Sequence, residues 1–182
     1  MKKFLTLLLL VIVSCFIGGL YGALHDQLSY TISPEYFTKF KFIQFGLSDA
    51  TDEAILPRPR IGAAIVGFLA AWWMGVPISL ILGLVGLIHD HWRKMLRVTL
   101  RAIIVTIGVA FLTGLVGLVI GKVCLGKIGV DWWLPENLID TSNFIAVGSL
   151  HNFSYLGGLT GLIAGIIYSV QQRNRDPQIS HS

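Results

Sequence analysis

Four long apolar runs, Phe4 to Leu24, Ile61 to Ile88, Thr99 to Val123 and Phe144 to Val170, alternate with polar connections along the 182-residue chain. About 20 helical residues cross the roughly 30 Å hydrocarbon core of a bilayer, and each run reaches that length. The pattern predicts an all-α, polytopic integral membrane protein with four transmembrane helices in a tightly packed bundle, residues 1–182 forming one membrane domain. Within every run small residues recur four apart. Ser14, Gly18 and Gly22 do so in the first, and Ala63, Gly67, Ala71, Gly75, Ser79 and Gly83 in the second. Thr106, Ala110 and Gly114, with Gly117 and Gly121 beside them, mark the third, and Gly157, Gly161, Gly165 and Ser169 the fourth. At 3.6 residues per turn such a series lines up as a groove where a neighbouring backbone approaches closely. The ladders predict helix packing of the glycine-zipper kind through Gly18, Gly22, Gly67, Ala71, Gly75, Gly157, Gly161 and Gly165.

The first connection, residues 25–60, has structure of its own. The polar and apolar residues of His25 to Ile32 alternate, which predicts an extended lead-in. Ser33 suits a helix cap, Pro34 a first turn and Glu35 the positive dipole end, so a short helix is expected over about 34–45. Tyr36, Phe40, Ile43 and Leu47 share one face of it, with Lys39 and Lys41 at the sides. Such an aromatic amphipathic helix lies in the interface or covers other helices. Residues 46–60 read as a solvated loop. The second run measures about 42 Å at 1.5 Å per residue, more than the hydrocarbon thickness, and Pro77 cannot donate to the carbonyl of Trp73. A kink is expected at Pro77. The outer ends of the second and fourth helices are expected to rise above the lipid, sheathed by the aromatic helix. The polar tail, 171–182, is expected to be disordered after Asp176.

Composition sharpens the class: 54% of the residues are hydrophobic and 13% charged, which is wrong for a soluble domain. The distribution of basic residues predicts the orientation. Lys2, Lys3, Arg93, Lys94, Arg97, Arg101, Arg173 and Arg175 fall at the ends shared by the two termini, and the short loop after the second helix is strongly basic. By the positive-inside rule both termini are cytoplasmic, in a bacterial inner membrane. The net charge of +4 then describes a basic rim facing membrane lipids, and no basic cluster with interleaved aromatics points to nucleic acid. Ile12-Val13-Ser14-Cys15 has the look of a lipobox, but apolar sequence continues to Leu24 without a small-x-small cleavage site, which favours an uncleaved helix. Cys15 and Cys124 fall at different membrane depths, so no disulfide is expected.

The polar residues with chemical potential lie towards the outer side: His25 and Asp26 after the first run, Glu35 at the short helix, and His151-Asn152 in the fourth run. An ionisable residue within a membrane helix is a functional candidate, and two imidazoles with two carboxylates suit a divalent metal or a proton path. A haem between His25 and His151 is the other cofactor considered. Against these stands a structural role, each interhelical hydrogen bond contributing about 0.6 to 2 kcal/mol. Neither HExxH nor paired CxxC is present, and no GxSxG, Walker lysine or dinucleotide fingerprint occurs. His89 and His91 read as interfacial residues rather than ligands.

The segment His25-Asp26-Gln27, continuing through Ser29-Tyr30-Thr31-Ile32-Ser33-Pro34-Glu35-Tyr36-Phe37-Thr38-Lys39-Phe40-Lys41-Phe42 to Gln44-Phe45, resembles one found in uncharacterised small bacterial membrane proteins with four helices. That resemblance implies no activity. The sequence as a whole favours a non-enzymatic membrane component acting through helix association, as a homo-oligomer or with another membrane protein. Ladders left over after the bundle has formed are the motive. A small transporter or channel is the alternative, although Ser14, Ser79, Thr106 and Thr113 are almost the only polar residues at mid-depth in the first three helices. A metal or haem enzyme using His25, Asp26, Glu35 and His151 is the third possibility.

Overall fold

A computed structural model describes residues 1–175, all of whose regular structure is helical. Four helices are long and apolar enough to cross a membrane: Lys2–Ile32, Pro59–Gly86, Trp92–Ile128 and Thr141–Asn174. The polar tail expected after Asp176 lies outside the described residues.

The first span is one helix, α1 (Lys2–Ile32), and the predicted extended lead-in at 25–32 does not form. The alternation there is short, whereas the buried positions Leu10, Ser14, Gly22, His25, Asp26 and Ser29 keep helical periodicity to the end. Pro34 stops α1, because the residue before a proline is driven out of the α region; Ser33 is extended at φ −139°. The short helix follows as α2 (Pro34–Tyr36), a π turn (Phe37–Lys41) and α3 (Phe42–Gln44).

The second span comprises α4 (Pro59–Ala71), a 3₁₀ turn (Trp72–Met74) and α5 (Gly75–Gly86). The interruption expected at Pro77 appears one turn earlier, at the carbonyl the proline leaves without a donor. The third span, α6 (Trp92–Ile120), starts well before Thr99, passes a second π turn (Gly121–Leu125) and ends in α7 (Gly126–Ile128). Its basic first turns are helical beyond the apolar stretch that hydropathy detects. The fourth, α8 (Thr141–Asn174), is capped by the Asp140 carboxylate, which accepts from the Asn143 backbone N–H at 2.9 Å.

The helices pack as two hairpins, α1 along α4 and α5, and α6 along α8. Between helices in lipid there is little hydrophobic drive, so close backbone approach carries the packing. A Cβ on Gly22 would meet the Gly67 carbonyl, one on Gly18 would stand 2.9 Å from the Ala71 oxygen, and one on Gly75 would meet the Ser14 carbonyl. In the other hairpin, a Cβ on Gly157 would lie 2.8 Å from the Ala110 Cα, and one on Gly161 2.6 Å from the Thr106 oxygen; Gly165 faces the Ala102 carbonyl. These ladders face each other within each hairpin. Large apolar side chains such as Leu24, Ile104 and Leu159 point outward, as lipid requires.

Helix ends meet in two clusters. At the loop end, Tyr36, Phe37 and Phe42 pack on Ala63 and Val66 of α4 and on Phe144 and Val147 of α8, forming an aromatic roof. At the terminal end, Lys3 donates to the Leu87 carbonyl at 3.0 Å and Arg173 pairs with Asp90.

Candidate functional site

His25 and Asp26 lie one turn beyond Gly22, on the part of α1 that the Gly22–Gly67 approach holds against α4. Both are buried, 6% and 3% exposed. His151 stands opposite them on α8, under the aromatic roof, while the adjacent Asn152 turns outward. His25 Nδ1 is 3.3 Å from Asp26 Oδ1, and His151 Nε2 is 3.8 Å from the same oxygen. The His25 and His151 ring centroids are 4.8 Å apart. His25 Nε2 also contacts Ser154 Oγ at 3.1 Å. His151 Nε2 is buried and has no hydrogen-bond partner among the described residues.

The roof completes the site. The Tyr36 ring stacks on His151 at 5.1 Å and 20°. Lys41, 9% exposed, borders the same space, donates to Gln44 Oε1 at 3.2 Å and lies 5.2 Å from the Phe40 ring centroid. Burial pushes the Lys41 ammonium below the ordinary lysine range, and Asp26 opposes that shift. Burial raises the Tyr36 phenol, with the Asp26 charge adding to it.

Of the four residues singled out from the sequence, the fold brings three together; the candidate ligand atoms of His25, Asp26 and His151 all lie within 4.8 Å of one another. Glu35 stands elsewhere. Its carboxylate accepts from the backbone N–H groups of Ile139 at 2.9 Å and Asp140 at 2.7 Å and pairs with Lys39 at 3.8 Å. It therefore fastens the short helix to the entry of α8. The haem expectation does not fit, because imidazoles 4.8 Å apart with a carboxylate beside them leave no room for a porphyrin plane between them. His89 is not interfacial either: it is fully buried and contacts Ser169 Oγ at 3.3 Å, whereas His91 is exposed.

Sequence reasoning missed Lys41. On a regular helix it sits at the side of the aromatic face, but the π turn over Phe37–Lys41 widens the spiral and turns it inward. Ser154, three residues on from His151 in α8, reaches His25 only because α8 docks against α1 at this level.

Below the cluster, a cavity of about 110 Å³ runs between the hairpins. Its polar end is formed by His25, Asp26, Lys41, His151 and Ser154, and its walls by side chains such as Ile17, Met74, Ile103 and Ile107. Ser79 and Thr106, named as mid-depth polar groups, donate to the backbone carbonyls of Gly75 and Gly161. Compared with family models, curated proteins and solved structures, the chain matches none of them.

Proposed function

We propose that this is a bacterial inner-membrane protein, both termini cytoplasmic, that holds a divalent transition-metal ion between His25, Asp26 and His151 at the outer end of its bundle. The observation that carries this reading is the convergence of two imidazoles and one carboxylate within 4.8 Å, with a buried His151 nitrogen that has no hydrogen-bond partner among the described residues. Around a tetrahedral ion with bonds of about 2.0–2.1 Å, neighbouring ligand atoms lie roughly 3.3 Å apart. The 3.3 Å and 3.8 Å separations lie close to that spacing, and the widest separation in the group, 4.8 Å, has to close by about 1.5 Å on binding. Two imidazoles and one carboxylate are a donor set that suits a divalent transition metal. Three protein ligands leave a coordination position towards the cavity, where a bound ion would act as a Lewis acid on an incoming group. The basic residues around the terminal end support the orientation.

Elemental analysis of the detergent-purified protein beside Asp26→Asn and His151→Ala tests the site. About one equivalent of a transition metal in the parent, lost in both variants, is expected. A metal-free parent whose variants lose only thermal stability would make the cluster a structural tie between α1 and α8.

A further inference from the structure

Arg101 is a charged residue inside an apolar run. It falls within the third run, Thr99 to Val123, and the packing shows its depth: the neighbouring Ala102 turns its carbonyl to Gly165 of α8, five residues before the fourth run ends at Val170. At 1.5 Å per residue this is about 7.5 Å inside the apolar boundary of the partner helix. Arg101 is nevertheless exposed, on the face of α6 that continues through the exposed Ile104 and Leu112. Arg97 and Arg93 follow one and two turns nearer the end of the bundle on the same face, both exposed. Like charges four apart repel along a helix, and nothing in the protein offsets this stripe. Among the described residues neither Arg97 nor Arg101 has an ion-pair or hydrogen-bond partner, and Asp90, the one carboxylate at this end, is taken by Arg173. Beside the stripe a groove of about 590 Å³ opens between α6 and Gln172 of α8; Arg93, Lys94, Arg97 and Arg101 line it, with no acidic residue. Lys94 Nζ donates to the Gln172 carbonyl at 3.4 Å, which keeps its ammonium at the groove wall. The Arg93 guanidinium lies 5.3 Å from the ring centroid of Trp92, an aromatic suited to the membrane interface.

A charged side chain at the edge of the hydrocarbon has to reach the headgroup layer or draw an anion to itself. Helical side chains lean towards the helix N-terminus, which for α6 is the headgroup side, so an arginine at 101 extends towards Arg97. Guanidinium groups are planar forks that match phosphate oxygens in pairs. We propose that this groove binds one anionic phospholipid, its phosphodiester held by Arg97 and Arg101 with Lys94 beside them, and its acyl chains lying on the lipid face past Ile104. The depth of Arg101 favours a lipid over a soluble phosphate or an acidic peptide, because neither of those reaches below the apolar boundary. The site is independent of the metal reading, since the His25–Asp26–His151 cluster lies at the opposite end of the bundle.

Native mass spectrometry of the delipidated full chain in detergent, titrated with palmitoyl-oleoyl phosphatidylglycerol, reads the occupancy. The parent is expected to retain one phosphatidylglycerol, and Arg97→Gln/Arg101→Gln to lose it by about tenfold or more. Lys2→Gln/Arg175→Gln removes two positive charges from the same end but outside the groove, and should keep the lipid. All four of these side chains are exposed, so both variants should melt with the parent in lipid-free detergent. Added phosphatidylglycerol should then raise the melting temperature of the parent and of Lys2→Gln/Arg175→Gln, but not that of Arg97→Gln/Arg101→Gln. Equal loss of lipid in the two double variants would reduce the effect to a general attraction of the basic rim and overturn the site. Equal retention of phosphatidylcholine, whose headgroup has no net charge, would do the same. Displacement of phosphatidylglycerol by an equal concentration of inorganic phosphate would make the groove a soluble-anion site and overturn the lipid assignment.

Discussion

His25 Nε2 lies 3.1 Å from Ser154 Oγ, a residue 129 positions further along the chain, and this contact joins the two helical hairpins at the loop end. The hairpins are otherwise held mainly within themselves by glycine-mediated packing, so the polar cluster also sets how they meet. The proposed metal site and the architecture therefore share the same few side chains, and tests have to separate them.

Packing inside the first hairpin depends on Gly22, where any Cβ meets the Gly67 carbonyl. Gly22→Leu is expected to destabilise the detergent-solubilised protein by about 1–3 kcal/mol or more, through overpacking that backbone cannot relieve. Gly108, beside which a Cβ meets nothing within 4 Å, is the control: Gly108→Ala should be neutral or stabilising by up to about 1 kcal/mol, from helix propensity. Thermal melts monitored by circular dichroism compare them, and equal melting temperatures would remove the role given to Gly22.

Glu35 fastens the roof to α8 by two hydrogen bonds from backbone N–H groups at Ile139 and Asp140. Removing it with Glu35→Ala should cost about 1 kcal/mol at this partly exposed position and raise hydrogen exchange of the 137–143 amides. Glu35→Gln, which keeps one acceptor, should fall between. Metal content should not change, since Glu35 is outside the cluster.

His89 makes stability depend on pH from the terminal end. Burial, with Lys94, Arg173 and Lys3 nearby, holds its imidazole below the ordinary value of 6.5, and Asp90 only partly opposes this. Above pH 6.5 folded and unfolded states are both neutral there. As the pH falls below that value, the unfolded chain takes up a proton that the folded chain refuses, so stability drops until the pH passes the lowered pKa. The melting temperature should therefore fall on acidification from pH 7, and His89→Gln should flatten that dependence.

Orientation can be read from a native thiol. Cys124 is exposed and lies in the last turns of the third span, four residues before its loop end at Ile128, whereas Cys15 lies near the middle of the first span. A membrane-impermeant maleimide should label Cys124 on intact spheroplasts, and Cys124→Ser should abolish the signal. Labelling only after the membrane is permeabilised would place the loop end in the cytoplasm and invert the proposed topology.

By itself the sequence determined the class of the protein: four apolar helices, their order, their small-residue faces and the aromatic short helix between the first two spans. These follow from length, hydropathy and local spacing, which act within a few turns of chain. Tertiary structure alone decided the rest. Whether His25 and His151 meet depends on how two hairpins dock, and a period along one helix carries no record of that. Pairing Glu35 with the backbone at Ile139 and Asp140 needs a loop to fold back over the start of α8. The inward turn of Lys41 depends on a π turn, a one-residue change of pitch that no hydrophobic pattern announces. Even the extended lead-in misread at His25 to Ile32 has this cause: alternation over eight residues fits a strand, but helical burial against α4 and α8 fits the same residues and wins, because in a membrane every backbone group has to find its partner inside the helix.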